Sequence, residues 1–323
     1  MRLIYIEAIS AVVPRTDVSL DVKHLVSNLD EEVIRSVIRP RNLSKIDRFT
    51  QIGLIVFERL KNVMTNDDPN KVGLFIGNDL GGWSYVQSQL EGLIRTGDIH
   101  AINPYVATAW FPAAAQGELS ILHNIQGYSK TLSGGLLSSA LALEHAAQRL
   151  LDGTVDLAFA GGLEAPTASA TVDALVAEQR IFSDFPAVDA GCLFALRRPL
   201  GNPGIYMCIS RPRRTPEAAL DDIETVWCDS KEIDVYLPKV SSRDTIRSSG
   251  VERLRQIVGT HLKGKARFQI SQVEAGDLGG AAFALMLASV ITHFESDTSL
   301  SNQALVFGTD FVGLYIAVAV IRQ

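Results

Sequence analysis

The chain has 323 residues, 47% of them hydrophobic and 7% aromatic, with a net charge of −6 and an isoelectric point near 5.6. That length buries one large core or two fused smaller ones, and the acidic balance excludes a global basic field that would recruit nucleic acid. Three widely spaced cysteines, Cys192, Cys208 and Cys228, argue against a disulfide framework or a zinc site, and the six histidines show no metal spacing.

The apolar run LIYIEAISAVV opens the chain. Glu7 interrupts it and no convincing cleavage site follows, so it reads as a first strand rather than a signal-peptide core. GLFIGNDLGGW, from Gly73, reads as a strand entering a glycine turn, Gly77 to Gly82. Trp83, Val86 and Leu90 follow at spacings of three and four, which puts them on one helical face behind Leu80.

The most informative stretch runs from Gly127 to Pro166. A short β run ends at Gly134 and Gly135, and a mostly apolar helix follows. The glycines permit a sharp turn, and the helix N-terminus supplies free N–H groups and a positive dipole end that would lower the pKa of a thiol. The residue placed to use them is Leu136, so the segment has the layout of a nucleophile site without a nucleophile. The near absence of charge from Leu136 to Leu143 is an excess of apolar surface for a helix not buried in a core or against a partner, which makes Tyr128, Leu137 and Leu141 interface candidates. His145 reads as a satisfied interior or interface histidine. LAFAGG, from Leu157, reads as the next buried strand.

Cys192, in the apolar run AGCLFAL, reads as a core thiol. RRPLGNPG breaks both periodicities near Pro199 to Pro203 and divides the chain into halves of residues 1–200 and 201–323. Arg211, Arg213 and Arg214 form a basic patch, either a solvated loop or a docking surface for an acidic protein. The longest uncharged segment, Leu278 to Thr292, is too short for a bilayer span, which takes about 20 residues, and reads as a core helix. A soluble cytoplasmic protein is expected. Sliding the chain by 142 residues sets Gly134 on Gly276 and Leu136 on Leu278, an internal repeat of strand, glycine turn and apolar helix.

Taken together these segments resemble the ketosynthases of the thiolase superfamily. RNLSKIDRFTQIGL, with Lys45, Asp47, Arg48 and Phe49, resembles the family's early signature helix. INPYVATAWFPAAAQGELSI resembles its Asn/Ser-Pro segment, and Gly127 through Gly161, Gly162 and Glu164 its nucleophile region. QVEAGDLGGAAFALMLASVI resembles the Lys-x-x-x-Gly-His segment, and ALVFGTDFVGLYIAVAVI the final glycine-rich turn and strand. The resemblance implies an α/β thiolase-like fold of duplicated halves in αβαβα layers, shortened relative to a full ketosynthase.

It also implies that Leu136 stands at the family's cysteine position, Gln272 at its lysine and Asp277 at its second histidine, with Pro238 or a neighbour in LPKVSSRD at the first histidine. A thiolate and imidazoles carry the family's condensation, and none of these residues replaces them. The pattern resembles chain length factors, the ketosynthase β subunits of type II polyketide and polyene synthases. That implies a heterodimer with an active ketosynthase, an acyl carrier protein docking at the arginines, no cofactor or metal, and a tunnel set by Leu80, Trp83, Val86, Leu90, Leu136 and Thr309. A rival reading is a self-associating enzyme using Ser138, Cys228 or Asp277 for other acyl-transfer or hydrolytic chemistry, and a third is a stand-alone acyl-binding or scaffold protein.

Overall fold

A computed structural model describes residues 3–13, 25–26, 31–199, 201, 203–227, 232–269, 276–295 and 301–323. The first half runs β1 (Ile4–Val12), β2 (Leu25–Val26), α1 (Glu31–Val37), α2 (Pro40–Leu43), α3 (Arg48–Glu58), β3 (Val72–Gly77), α4 (Trp83–Thr96), α5 (Val106–Ala109) and α6 (Ala114–His123). It continues with β4 (Lys130–Leu132), α7 (Ser138–Leu151), β5 (Leu157–Glu164), α8 (Ser169–Ala177) and β6 (Ala190–Arg197). The second half runs β7 (Ile205–Ile209), α9 (Pro216–Asp221), β8 (Ile233–Tyr236), α10 (Thr245–His261), β9 (Ala266–Phe268), α11 (Ala282–Glu295), β10 (Gln303–Thr309) and β11 (Tyr315–Arg322).

The strands follow the order β4-β3-β5-β6-β1-β7-β11-β10-β8-β9, with β2 beside β1. Read outward from the β1–β7 seam, the two arms repeat one pattern. In each, two antiparallel pairings lead to two parallel ones, β1-β6-β5-β3-β4 on one side and β7-β11-β10-β8-β9 on the other. The arms meet at Ile4 opposite Met207 and Tyr5 opposite Tyr206. This is the duplicated α/β architecture expected from the sequence.

Burial on both sheet faces explains why β5 reads as a continuous apolar run. Ala158 and Ala160 face a central core with Leu143 and Ala146 of α7 and with Leu285 and Ala288 of α11. Leu157 and Phe159 face the opposite way, into an outer core with α3 and α6. On the other arm, α9 and α10 cover Val235, Phe307 and Ala317. Helices thus lie outside each arm and between them, which gives the αβαβα layering. Small residues let α7 approach closely: a Cβ on Gly77 of β3 would meet the Ser138 carbonyl carbon at 2.3 Å.

Gly135 and Gly279 have φ of 59° and 50°, the left-handed region that favours glycine. Each opens a 3-10 turn, Gly135–Leu137 or Gly279–Ala281, that runs directly into α7 or α11. The structural repeat is therefore 144 residues, not the 142 of the sequence comparison. Alanine-rich helices match one another at several offsets, and the turn conformation fixes the register.

Cys192 and Cys208 are both buried and form no disulfide, and burial pushes the Cys192 thiol up. Leu278 to Thr292 falls largely within α11, whose described core residues include Leu287, Val290 and Ile291. Among the described residues no helix is long and apolar enough to cross a membrane. Leu137 departs from expectation. It is fully buried in the central core, near Gly308, and cannot meet a partner. The charge-free run from Leu136 to Leu143 serves the chain's own middle layer. We expect Leu137→Asp to cost more than about 4 kcal/mol and abolish cooperative unfolding, whereas Leu141→Asp, at a half-buried position, leaves a folded chain by circular dichroism.

Candidate functional site

The site grows from the turn before α7. Ser133 Oγ donates to the Asn78 carbonyl at 2.7 Å, tying the end of β4 to the turn after β3. Ser138 Oγ donates to the Gly135 carbonyl at 2.7 Å and accepts from the Gly134 N–H at 2.9 Å. That fully buried hydroxyl closes the turn and points at no base. Leu136 is left half-buried on the wall of a cavity of about 80 Å³.

Pro238, Asp277 and Thr309 line the same cavity, so residues from four distant segments converge on it. Gln272 and Cys228 lie outside the described residues. Among the described lining residues there is no cysteine and no histidine. A leucine has no lone pair to accept an acyl group, and a proline ring has no proton to donate.

Arg180 is the cavity residue that the sequence did not reveal. Its Nε stands 3.2 Å and its Nη2 3.4 Å from the two Asp277 carboxylate oxygens, and its Nη1 3.3 Å from Asp79. Burial works against the cation, but the Asp277 and Asp79 charges outweigh it and hold the guanidinium above the ordinary arginine range. Asp277 also accepts from the Gly279 N–H at 2.8 Å. Both of its oxygens are thus engaged by the guanidinium, and one also by the Gly279 N–H. Gln179, at φ 55°, turns the chain after α8 so that Arg180 enters the cavity. A lone arginine, 97 residues from Asp277 in sequence, carries no local signal.

Beneath this layer lies Glu164, fully buried at the end of β5. Its carboxylate accepts from the Asp79 N–H (2.8 Å), the Gly280 N–H (3.0 Å), Asn78 Nδ2 (3.1 Å) and the Leu80 N–H (3.4 Å). Burial pushes its pKa up to about 7 against the pull of these donors. Asp47 plays a similar part at the first helix of the signature. It accepts from the Phe49 N–H at 3.0 Å as the N-cap of α3, and from the Tyr85 N–H at 2.7 Å in α4. Burial raises it to about 6.

The expected tunnel residues are split. Leu136 and Thr309 line the cavity, but Leu80, Trp83, Val86 and Leu90 do not. Trp83 and Leu90 are 43% and 45% exposed, which excludes core packing for them, and Leu80 and Val86 are half-buried. Tyr128 is exposed, with His145 Nε2 3.3 Å from its hydroxyl and the Arg149 guanidinium 5.8 Å from its ring centre. Burial, with Lys130 and Arg149, lowers the His145 pKa. Of the basic patch, Arg213 is held by Asp222 at 2.6 and 2.8 Å, which leaves Arg211 and Arg214 as its exposed cations.

The family described as "Beta-ketoacyl synthase, N-terminal domain" matches residues 15–189, more than half of the chain. The chain belongs to the beta-ketoacyl synthase family. Within that family it is 32% identical over 133 residues to the tetracenomycin polyketide synthase ketoacyl synthase beta subunit of Streptomyces glaucescens, covering 39% of this chain and 31% of that protein. It is 24% identical over 153 residues to the 3-oxoacyl-[acyl-carrier-protein] synthase 2 of Vibrio cholerae, covering 46% and 36%. The matches thus span about a third of the length of these curated relatives. The fold is shared with a type II polyketide synthase ketosynthase solved with its acyl-carrier protein, at a TM-score of 0.80 and 19% identity over 100% of both chains. It is also shared with a ketosynthase solved in complex with its chain length factor from Xenorhabdus doucetiae, at 0.74 and 12% identity over 99% of this chain and 98% of that one.

Two outcomes follow from this ketosynthase-like site. Arg180→Gln leaves Asp277 buried and unpaired, at a cost of about 3–5 kcal/mol. Adding Asp277→Asn should recover a large part of that, as read from urea unfolding midpoints in a double-mutant cycle. Glu164 keeps its proton in the folded chain from its ordinary 4.5 up to about 7. Stability should therefore fall by about 3 kcal/mol as pH rises through that window. Glu164→Gln should flatten the dependence measured between about pH 5 and about pH 8, and an unchanged slope would assign it to other groups.

Proposed function

We propose that this chain is a non-catalytic chain length factor that pairs with an active ketosynthase and shapes its acyl tunnel during type II polyketide or polyene elongation on an acyl carrier protein. The observation that carries this reading is the cavity itself. Where the family's condensation needs a thiolate and imidazoles, this chain has Leu136 and Pro238, with Asp277 held by Arg180. The rival catalytic reading loses support, because the Ser138 hydroxyl is consumed by its own turn and Asp277 by an ion pair.

A partner is favoured by the distribution of exposed apolar side chains. Of the fourteen large ones exposed among the described residues, ten lie between Trp83 and Tyr128, including Ile94, Trp110, Phe111 and Ile121. Concentrations of this kind mark contact surfaces. The segment adjoins β4, which stands at the edge of the sheet among the described residues. On this reading the halves 1–200 and 201–323 form one compact unit in the cytoplasm, with Tyr128 and Leu141 at the interface. Trp83 and Leu90 reach the partner's tunnel, Arg211 and Arg214 meet the acidic carrier protein, and no cofactor takes part.

The test is co-expression with a family ketosynthase that carries the cysteine and both histidines. We expect a heterodimer by light scattering, a longer product distribution with Trp83→Ala, and no acyl adduct on this chain by intact mass. Separate elution of the two proteins, or acyl mass on this chain, would overturn the proposal.

A further inference from the structure

The outer helical layer of the second half carries a cluster unrelated to the cavity. Asp221 ends α9, Glu224 opens the 3-10 turn Glu224–Val226, and His261 is the last residue of α10. One carboxylate oxygen from each acid and a ring nitrogen of His261 all lie within 4.8 Å of one another. His261 Nε2 stands 3.9 Å from Asp221 Oδ1. That is too long for a hydrogen bond, and close to the separation of about 3.4 Å between two ligands on a tetrahedral ion with bonds of about 2.0–2.2 Å.

Two further observations point to a cation. His261 Nε2 is itself buried without a hydrogen-bond partner, whereas buried polar atoms are almost always satisfied, by an ordered water or ion where no protein group serves. The electrostatics also lack a counter-charge. Asp221 sits at the negative end of α9, where a second anion is unfavourable. Its neighbour Asp222 is neutralised by Arg213 at 2.6 Å, while among the described residues Asp221 and Glu224 have no lysine or arginine partner.

We propose that Asp221, Glu224 and His261 bind a divalent transition-metal ion, zinc foremost, with water completing the coordination. One imidazole nitrogen with two carboxylates suits zinc, whereas calcium and magnesium sites are built from oxygen alone. Such an ion ties the end of α9 to the end of α10 over the outer core that both helices cover. The site is independent of the chain length factor reading.

The test uses the full-length chain, tag-free and stripped with a chelator, titrated with zinc chloride by calorimetry. About one ion per chain is expected, with a melting temperature that rises with zinc as a site bound only in the folded state requires. Affinity should fall at least about tenfold in His261→Ala and again in Asp221→Asn, an exposed isostere that preserves the fold. No binding, binding unchanged in both variants, or equal uptake of calcium would each overturn the site.

Discussion

The architecture depends on one buried carboxylate. Glu164 ends β5 in the first half, yet it accepts N–H groups from the turn after β3 and from Gly280, which opens the central helix of the second half. A lone charge at that depth would be prohibitive; four donors offset part of that cost, and burial still lifts the pKa to about 7. The same oxygen that binds Asp79 binds Gly280, so the two halves share one acceptor. Gly279 is required beside it, since a Cβ there would lie 2.5 Å from the Glu164 Cγ. This network makes no use of a nucleophile, and its geometry stands with a leucine at residue 136.

The charged layer above it follows the same electrostatic constraint. Asp277, on the cavity wall, and Asp79, in the turn after β3, are two carboxylates close enough to share one cation. Arg180 answers both from a single planar group. The arrangement ties the turn from which α4 and Trp83 begin to Asp277 across the chain.

Much of this was legible in the sequence because it rests on local chemistry. Two glycines before an apolar helix dictate a sharp turn, and LAFAGG, flanked by glycine and acid, reads as a strand buried on both faces, as β5 is. The residues that failed are those whose partners are distant or whose apolar faces have two possible uses. Arg180 has no periodicity to betray it. Leu137 and Leu141 stand four apart on what looks like one stripe, yet Leu137 belongs to the preceding 3-10 turn and is sealed against Gly308, while Leu141 remains half-buried. The cluster of Asp221, Glu224 and His261 escaped for the same reason, since His261 lies 37 or more residues from its acidic neighbours and the packing of α9 on α10 joins them.

The apolar stripe of α4 shows where sequence patterning stops being informative. Spacings of three and four specify that Trp83, Val86 and Leu90 share a face, but not what covers it. In this chain Trp83 and Leu90 are only partly covered, and among the described residues Tyr85 is the one buried residue of the helix. Tyr85 is held by its hydroxyl to the Ser44 carbonyl at 2.8 Å and by its N–H to Asp47 at 2.7 Å. Polar contacts therefore hold the helix at its N-terminus, and Gln87 and Gln89 add others further along it. An element fixed in that way presents its partly exposed hydrophobic side chains in a defined orientation, which reduces the ordering cost of any association they take part in.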